Sequence, residues 1–241
     1  MIEAITFDFW NTLFVARFQA SSSLRRQRIK QLLERAGHAQ VSESQIDKAI
    51  SRTWHEWDRI WEQEQRTFGA EHWVALVLED LGIRLARPEQ EALIHAMETS
   101  GMEAKPPLID GLADLLPRLT RCYRLGVICD TGLSPGWMLR DCMEQHGILH
   151  HFTHLTFSDE MGVSKPHPDA FLTTLTHLGV SPKAAVHIGD YPRTDIAGAQ
   201  GVGMRAIRFT GVYDWGNDTV RADAVISSYR ELEPLLNEWE E

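Results

Sequence analysis

The tightest constraint on this chain is an alternation of strand and helix signals that is interrupted once. Five short apolar runs, at residues 4–7, 125–129, 154–157, 185–188 and 205–209, each end in a polar or glycine-rich break. Runs this short and this apolar predict strands buried on both faces. Residues 224–226 predict a further short edge strand. Between most of these runs the apolar residues recur at helical spacing. Leu112, Leu115, Leu116 and Leu119 share one face, and Phe171, Leu172, Leu175 and Leu178 share another, with Gly179 placed to end that helix. Ser181 followed by Pro182 predicts a helix start before the fourth strand. Strand–helix alternation of this kind predicts a mostly parallel sheet covered on both faces.

The interruption lies between about residues 16 and 106. No strand pattern occurs there, only helical periodicity over residues 22–36, 43–66, 71–82 and 88–100, punctuated by Gly37, Gly69, Gly82 and Gly101 and closed by Pro106 and Pro107. The fold expected is therefore α/β: a Rossmann-like parallel-sheet core from residues 1–15 and 107–241, carrying an inserted all-helical cap at 16–106. A length of 241 residues suits one domain with an insertion better than two full domains.

Charge narrows the function classes. A formal net charge of −10 gives no electrostatic footprint for nucleic acid. The basic cluster Arg25, Arg26, Arg28 and Lys30 is interleaved with apolar residues and reads as a solvated helix face. Three cysteines, Cys122, Cys129 and Cys142, form no CxxC pair and fit a reducing compartment. The N-terminal residues read as a strand rather than a signal peptide, and no apolar run is long enough to span a membrane. The expectation is a cytoplasmic protein, monomer or homodimer, with no nucleic-acid or membrane partner.

In open parallel sheets, ligands gather beyond the carboxyl ends of the strands. Asp8 follows the first run, Asp130 and Thr131 follow the second, Lys165 follows the third, and Asp190 and Asp195 follow the fourth. Four strand ends thus deliver carboxylates, a hydroxyl and a lysine to one crevice. Crowded carboxylates raise one another's pKa, a conflict that a hard divalent cation resolves. Lysine adds a positive charge suited to holding a carboxylate and a phosphoryl oxygen together.

The segments ITFDFWNTL, GVICDTG, GVSKPHPDAF and HIGDYPRTD, in that order, resemble the four motifs of the haloacid dehalogenase-like superfamily. The likeness spans the chain, because that family also carries a helical cap after its first motif. It implies a hydrolase acting on a small phosphorylated metabolite with Mg²⁺ as cofactor. Asp8 would be the nucleophile and form an aspartyl intermediate. The metal would be held by Asp8, the backbone carbonyl of Trp10 and Asp190, with Asp195 supporting its shell through water or hydrogen bonds. Lys165 would orient the nucleophile, and Thr12 would shape the first motif's turn.

Two positions depart from the family pattern. Phosphatases of the family have an aspartate two residues after the nucleophile, which handles the leaving-group proton. Here that position is Trp10, and an indole exchanges no proton at neutral pH. Asp130 is a candidate substitute, against the plainer reading of a turn residue bonding nearby backbone. In the second motif the phosphate-binding hydroxyl falls to Thr131, with Cys129 as the other register. Dehalogenases of the family also lack the second aspartate, so a hydrolase acting at carbon is the alternative enzyme reading. A weakly catalytic binder of phosphorylated ligands is the third. Trp54, Trp57 and Trp61 share a helical face and read as cap core, while His146, His150, His151 and His154 read as surface histidines.

Overall fold

The computed structural model describes residues 1–216 and 220–240. The chain divides into two compact units. The first comprises Met1–Ala16, Pro107–Asp130 and Arg140–Glu241; the second comprises Arg17–Pro106 and Thr131–Leu139. The segment Thr131–Leu139, read from sequence as part of the core, therefore packs with the inserted helices.

The first unit is built on a parallel six-stranded sheet in the order β3-β2-β1-β4-β5-β6. The strands are β1 (Ala4–Phe7), β2 (Arg124–Cys129), β3 (His154–Phe157), β4 (Ala185–Gly189), β5 (Arg205–Phe209) and β6 (Ala224–Ile226). Every residue of β1 and β4 is buried, as a strand covered on both faces requires. Strand order reverses at β1, which lies between β2 and β4. Phe7 pairs with Ile188 in register, so Asp8 and Asp190 leave neighbouring strand ends at this switch point.

In chain order the helices are α1 (Phe18–Arg35), α2 (Glu43–Glu64), α3 (Ala70–Asp80), α4 (Arg87–Glu103), α5 (Leu112–Leu119), α6 (Gly136–Gln145), α7 (Ser158–Met161), α8 (Pro168–Leu178), α9 (Ala197–Gly201) and α10 (Leu232–Glu240). All four leucines of the predicted α5 face are buried. On α8 the buried face is Phe171, Thr174, Leu175 and Leu178, while Leu172 is exposed. One residue on from Phe171 is a rotation of about 100°, which carries Leu172 off the core side. Gly179 ends α8 in the left-handed conformation at φ 67°, as expected of it. Ser181 and Pro182 begin only a three-residue turn, Pro182–Ala184, with no side-chain cap.

The second unit consists of α1–α4 around its own apolar core, with Ile29, Leu33, Ile46, Trp73, Val74, Val77, Leu93 and Met97 fully buried and Leu133 packed among them. Helix α2 opens with a capping box in which Ser42 and Gln45 satisfy each other's backbone N–H groups. Trp54, Trp57 and Trp61 form a half-buried ladder with ring centroids 5.9 and 5.3 Å apart, so they edge the core rather than fill it. The centre is taken by Trp73 from α3. No helix among the described residues is long and apolar enough to cross a membrane.

Candidate active site

At the carboxyl ends of β1 and β4, the first unit buries four charged side chains. Asp8, Asp190 and Asp195 offer carboxylate oxygens that all lie within 4.8 Å of one another. The ammonium of Lys165, 2% exposed, donates to Oδ1 of Asp8 at 2.5 Å and to Oδ1 of Asp195 at 2.6 Å. Lys165 stands in the loop between β3 and α8, and its backbone N–H donates to Oδ1 of Asp130 at 2.8 Å. The end of β2 thus holds the loop that aims the lysine.

Asp195 is held from three sides. Its Oδ1 accepts from Lys165 and from Nε2 of His187 at 3.2 Å, and its Oδ2 accepts the Tyr191 N–H at 2.9 Å. A Cβ on Gly189 would lie 2.3 Å from the Asp195 carboxyl carbon, so the strand can pass this side chain only as glycine. His187 is fully buried inside β4, and its Nδ1 lies 2.9 Å from Oγ1 of Thr6 in β1. A carboxylate only accepts, so the imidazole must carry its proton on Nε2 and take a bond from Thr6 on Nδ1. Burial lowers the His187 pKa, which keeps the ring neutral.

These partners set the charge states. Burial is the largest influence on Asp195 and would raise its pKa, but Lys165 and His187 outweigh it and hold the group ionised. Burial would likewise lower the Lys165 pKa, yet Asp195 and Asp8 together push it well above the ordinary value. Asp8 is raised by burial and then by Asp195 and Asp190, against the pull of Lys165. Asp190 is raised to about 6, by burial first and Asp195 second. One ammonium faces three carboxyl groups in an all-oxygen donor set, and burial and mutual repulsion make their full ionisation costly without a further cation. That is the setting a hard divalent cation fits.

A sequence profile of the haloacid dehalogenase-like hydrolase family matches residues 2–203. The chain belongs to this family. Among relatives, it is 28% identical to a glyceraldehyde 3-phosphate phosphatase of Methanopyrus kandleri over 99% of this chain and 98% of that one. It is 29% identical to a phosphoglycolate phosphatase of Escherichia coli, over 54% of this chain and 51% of that one. Among solved structures, a 2-haloacid dehalogenase from Pseudomonas syringae superimposes with a TM-score of 0.71 at 26% identity, covering 99% of this chain and 100% of that one. A phosphatase of the same family from Thermococcus onnurineus gives a TM-score of 0.66 at 23% identity over 98% of both chains, a likeness of fold.

In this haloacid dehalogenase-like hydrolase, five of the residues singled out from sequence meet in the first unit: Asp8, Asp130, Lys165, Asp190 and Asp195. Trp10 lies in the turn after β1, where Asn11, Leu13 and Phe14 donate to the carbonyls of Phe14 and Phe9, and none of these bonds uses the Trp10 carbonyl. Its indole is half-buried with its edge against Phe9. Thr131 is buried and belongs to the second unit. Cys129 ends β2, and burial pushes its thiol well above the ordinary pKa, so it stays protonated. Thr12 presents its carbonyl to the Tyr229 hydroxyl at 2.7 Å, which ties the turn after β1 to the segment after β6.

Four residues of the site were not singled out from sequence: His187, Asn11, Trp215 and Tyr229. Asn11 and Trp215 both donate to Oδ2 of Asp190, at 3.3 and 3.2 Å. The histidines at 146, 150, 151 and 154 make no common centre. His150 meets His151 at a tilt and His154 stacks on His177 of α8, with ring centroids 3.9 Å apart in each pair.

Proposed function

We propose that this hydrolase is a Mg²⁺-dependent phosphatase acting on a small phosphorylated metabolite through an aspartyl-phosphate intermediate. One observation carries the reading. A buried lysine grips one oxygen of Asp8 while two further carboxylates crowd the same point. Among the described residues none donates to Oδ2 of Asp8, which leaves that oxygen free to attack phosphorus. As the bond from Oδ2 to phosphorus forms, the bond to the leaving oxygen breaks, and water later cleaves the acyl phosphate. Lys165 aims Asp8 and opposes the protonation that burial favours, and its charge offsets that of the transferring group.

The metal-binding groups proposed are Asp8, the Trp10 carbonyl and Asp190. Mg²⁺ held there supplies positive charge that draws in the substrate's phosphoryl oxygens. Asp195 serves this centre indirectly, because three donors already occupy its oxygens. Asp130 holds the Lys165 loop, and that commitment of Oδ1 favours a positioning role over proton transfer. With Trp10 in the usual acid's position, a substrate with a good leaving group suits this site best. The phosphatase names of the relatives make phosphoglycolate and glyceraldehyde 3-phosphate, both with poor alkoxide leaving groups, the compounds to set against an aryl phosphate.

The test is phosphate release from an aryl phosphate and from those two metabolites, with and without Mg²⁺. Asp8→Asn is expected to remove activity by on the order of 10³-fold or more. Release that survives both Asp8→Asn and a chelator would sink the reading. Trp10 also favours a second reading, dehalogenase-like attack at carbon, since that chemistry needs no leaving-group proton. Halide release from a 2-haloacid in the presence of chelator would establish it.

A further inference from the structure

Asp190 accepts both of its described hydrogen bonds on the same oxygen. Asn11 Nδ2 reaches Oδ2 at 3.3 Å, and Trp215 Nε1 reaches it at 3.2 Å from the loop after β5. Among the described residues none donates to Oδ1. A carboxylate held by two donors on one oxygen cannot rotate without losing both bonds, so its other oxygen has a fixed direction.

Each donor is itself fixed by a contact outside the cluster. Asn11 sits in the left-handed region at φ 56°, a conformation asparagine tolerates better than most residues. Its side-chain Oδ1 accepts the Ala16 N–H at 3.1 Å, which commits the carbonyl end of the amide and turns the NH₂ end to Asp190. Trp215 is 44% exposed, yet its indole edge meets Tyr191 and Tyr213 with centroids 4.5 Å away in each case. Those contacts aim the N–H inward at a carboxylate that is only 6% exposed. A large apolar ring left in water, with its one polar atom on a buried acid, is placed for that bond rather than for burial.

We propose that Asn11 and Trp215 are positioning residues that commit Oδ2 of Asp190 and thereby present Oδ1 to a divalent cation beside Asp8. This rests on the metal reading of the same cluster. Hydrogen bonds to a ligating carboxylate typically account for 10–100-fold in metal affinity.

The test is calorimetric titration of chelator-treated protein with Mg²⁺, alongside thermal unfolding of the metal-free protein. Trp215→Phe keeps a ring for the two tyrosines and loses only the donor. Asn11→Gly loses the donor and the acceptor of the Ala16 N–H, and relieves the left-handed backbone. Each is expected to bind Mg²⁺ about 10–100-fold more weakly, with the metal-free Tm unchanged for Trp215→Phe and close to the parent's for Asn11→Gly, where backbone relief offsets the lost Ala16 bond. A variant that binds as tightly as the parent overturns the assignment of its residue, whatever its Tm. A parent that takes up no Mg²⁺ overturns the metal reading itself, a different result from a parent that binds and variants that match it.

Discussion

Lys165 of the first unit is withdrawn from water and Arg25 of the second is half-buried, and their partners differ in kind. Lys165 in the first unit lies between the carboxylates of Asp8 and Asp195. Arg25 in the second unit has no carboxylate partner among the described residues. Its Nε donates to Oγ of Ser100 at 2.7 Å and its guanidinium lies 5.9 Å from the Trp54 ring centroid. The neighbouring carboxylates hold the ammonium's pKa up, whereas burial alone pulls the guanidinium down to about 10. Lys165 thus meets full opposite charge at the sheet ends, where chemistry is proposed. For Arg25 a hydroxyl and an aromatic face are the partners identified.

The contrast breaks first at Lys165. Replacing it with Met leaves Asp8 and Asp195 buried without their cation, and breaking such a pair from one side costs about 3–5 kcal/mol. Lys165→Met is expected to lower the denaturant midpoint accordingly and to abolish turnover. A variant as stable as the parent would show that the lysine's partners do not depend on it. Next in size is His187. His187→Leu removes a buried donor from Asp195 and is expected to cost about 1–3 kcal/mol. His187→Gln, whose amide still offers an N–H, should recover part of the loss. Equal losses in the two would mean that the ring's shape matters and its donor does not.

The pH dependence sharpens the same comparison. Asp190 has a folded pKa of about 6 against an ordinary value of 3.8, so between those values the folded state binds more protons than the unfolded state. Its contribution is most favourable below the ordinary value and is lost as pH rises through about 6. A divalent cation competes with that proton. The rise in Tm produced by saturating Mg²⁺ is therefore expected to be larger at pH 7.5 than at pH 5. Equal rises in a thermal-shift series would separate the metal from Asp190.

Sequence told a good deal about this arrangement, and its omissions have a physical cause. The strands were legible because each is a short apolar run with a polar stop, and β1, β3, β5 and β6 begin and end where that pattern does. Asp8, Lys165, Asp190 and Asp195 were legible because a parallel sheet gathers its strand ends. His187, Asn11 and Trp215 were not, because their meaning lies in partners distant along the chain: Thr6 for His187 and Asp190 for Asn11, 181 and 179 residues away. One signal was present for His187. A histidine inside a strand otherwise made of Ala, Val, Ile and Gly has to find a buried partner. The tryptophan stripe of α2 misled in degree, since periodicity identifies a face but not how deeply it is covered.

Arg25 supplies the smallest expected effect and the cleanest contrast. A half-buried charge matched only by a dipole and a ring recovers little beyond its desolvation cost, and an apolar residue of similar length often does as well or better. Ser100 does not depend on the arginine, because its hydroxyl donates to the Met97 carbonyl at 2.7 Å. With a pKa of about 10, Arg25 is still charged at neutral pH, so the cost of burying that charge is present under ordinary conditions. Arg25→Met keeps most of the aliphatic stem against Trp54 and removes the charge. Stability is expected to change by less than about 1 kcal/mol, in either direction. A loss as large as that of Lys165→Met, measured in the same denaturant series, would show that the helical unit leans on its cation as heavily as the sheet ends do.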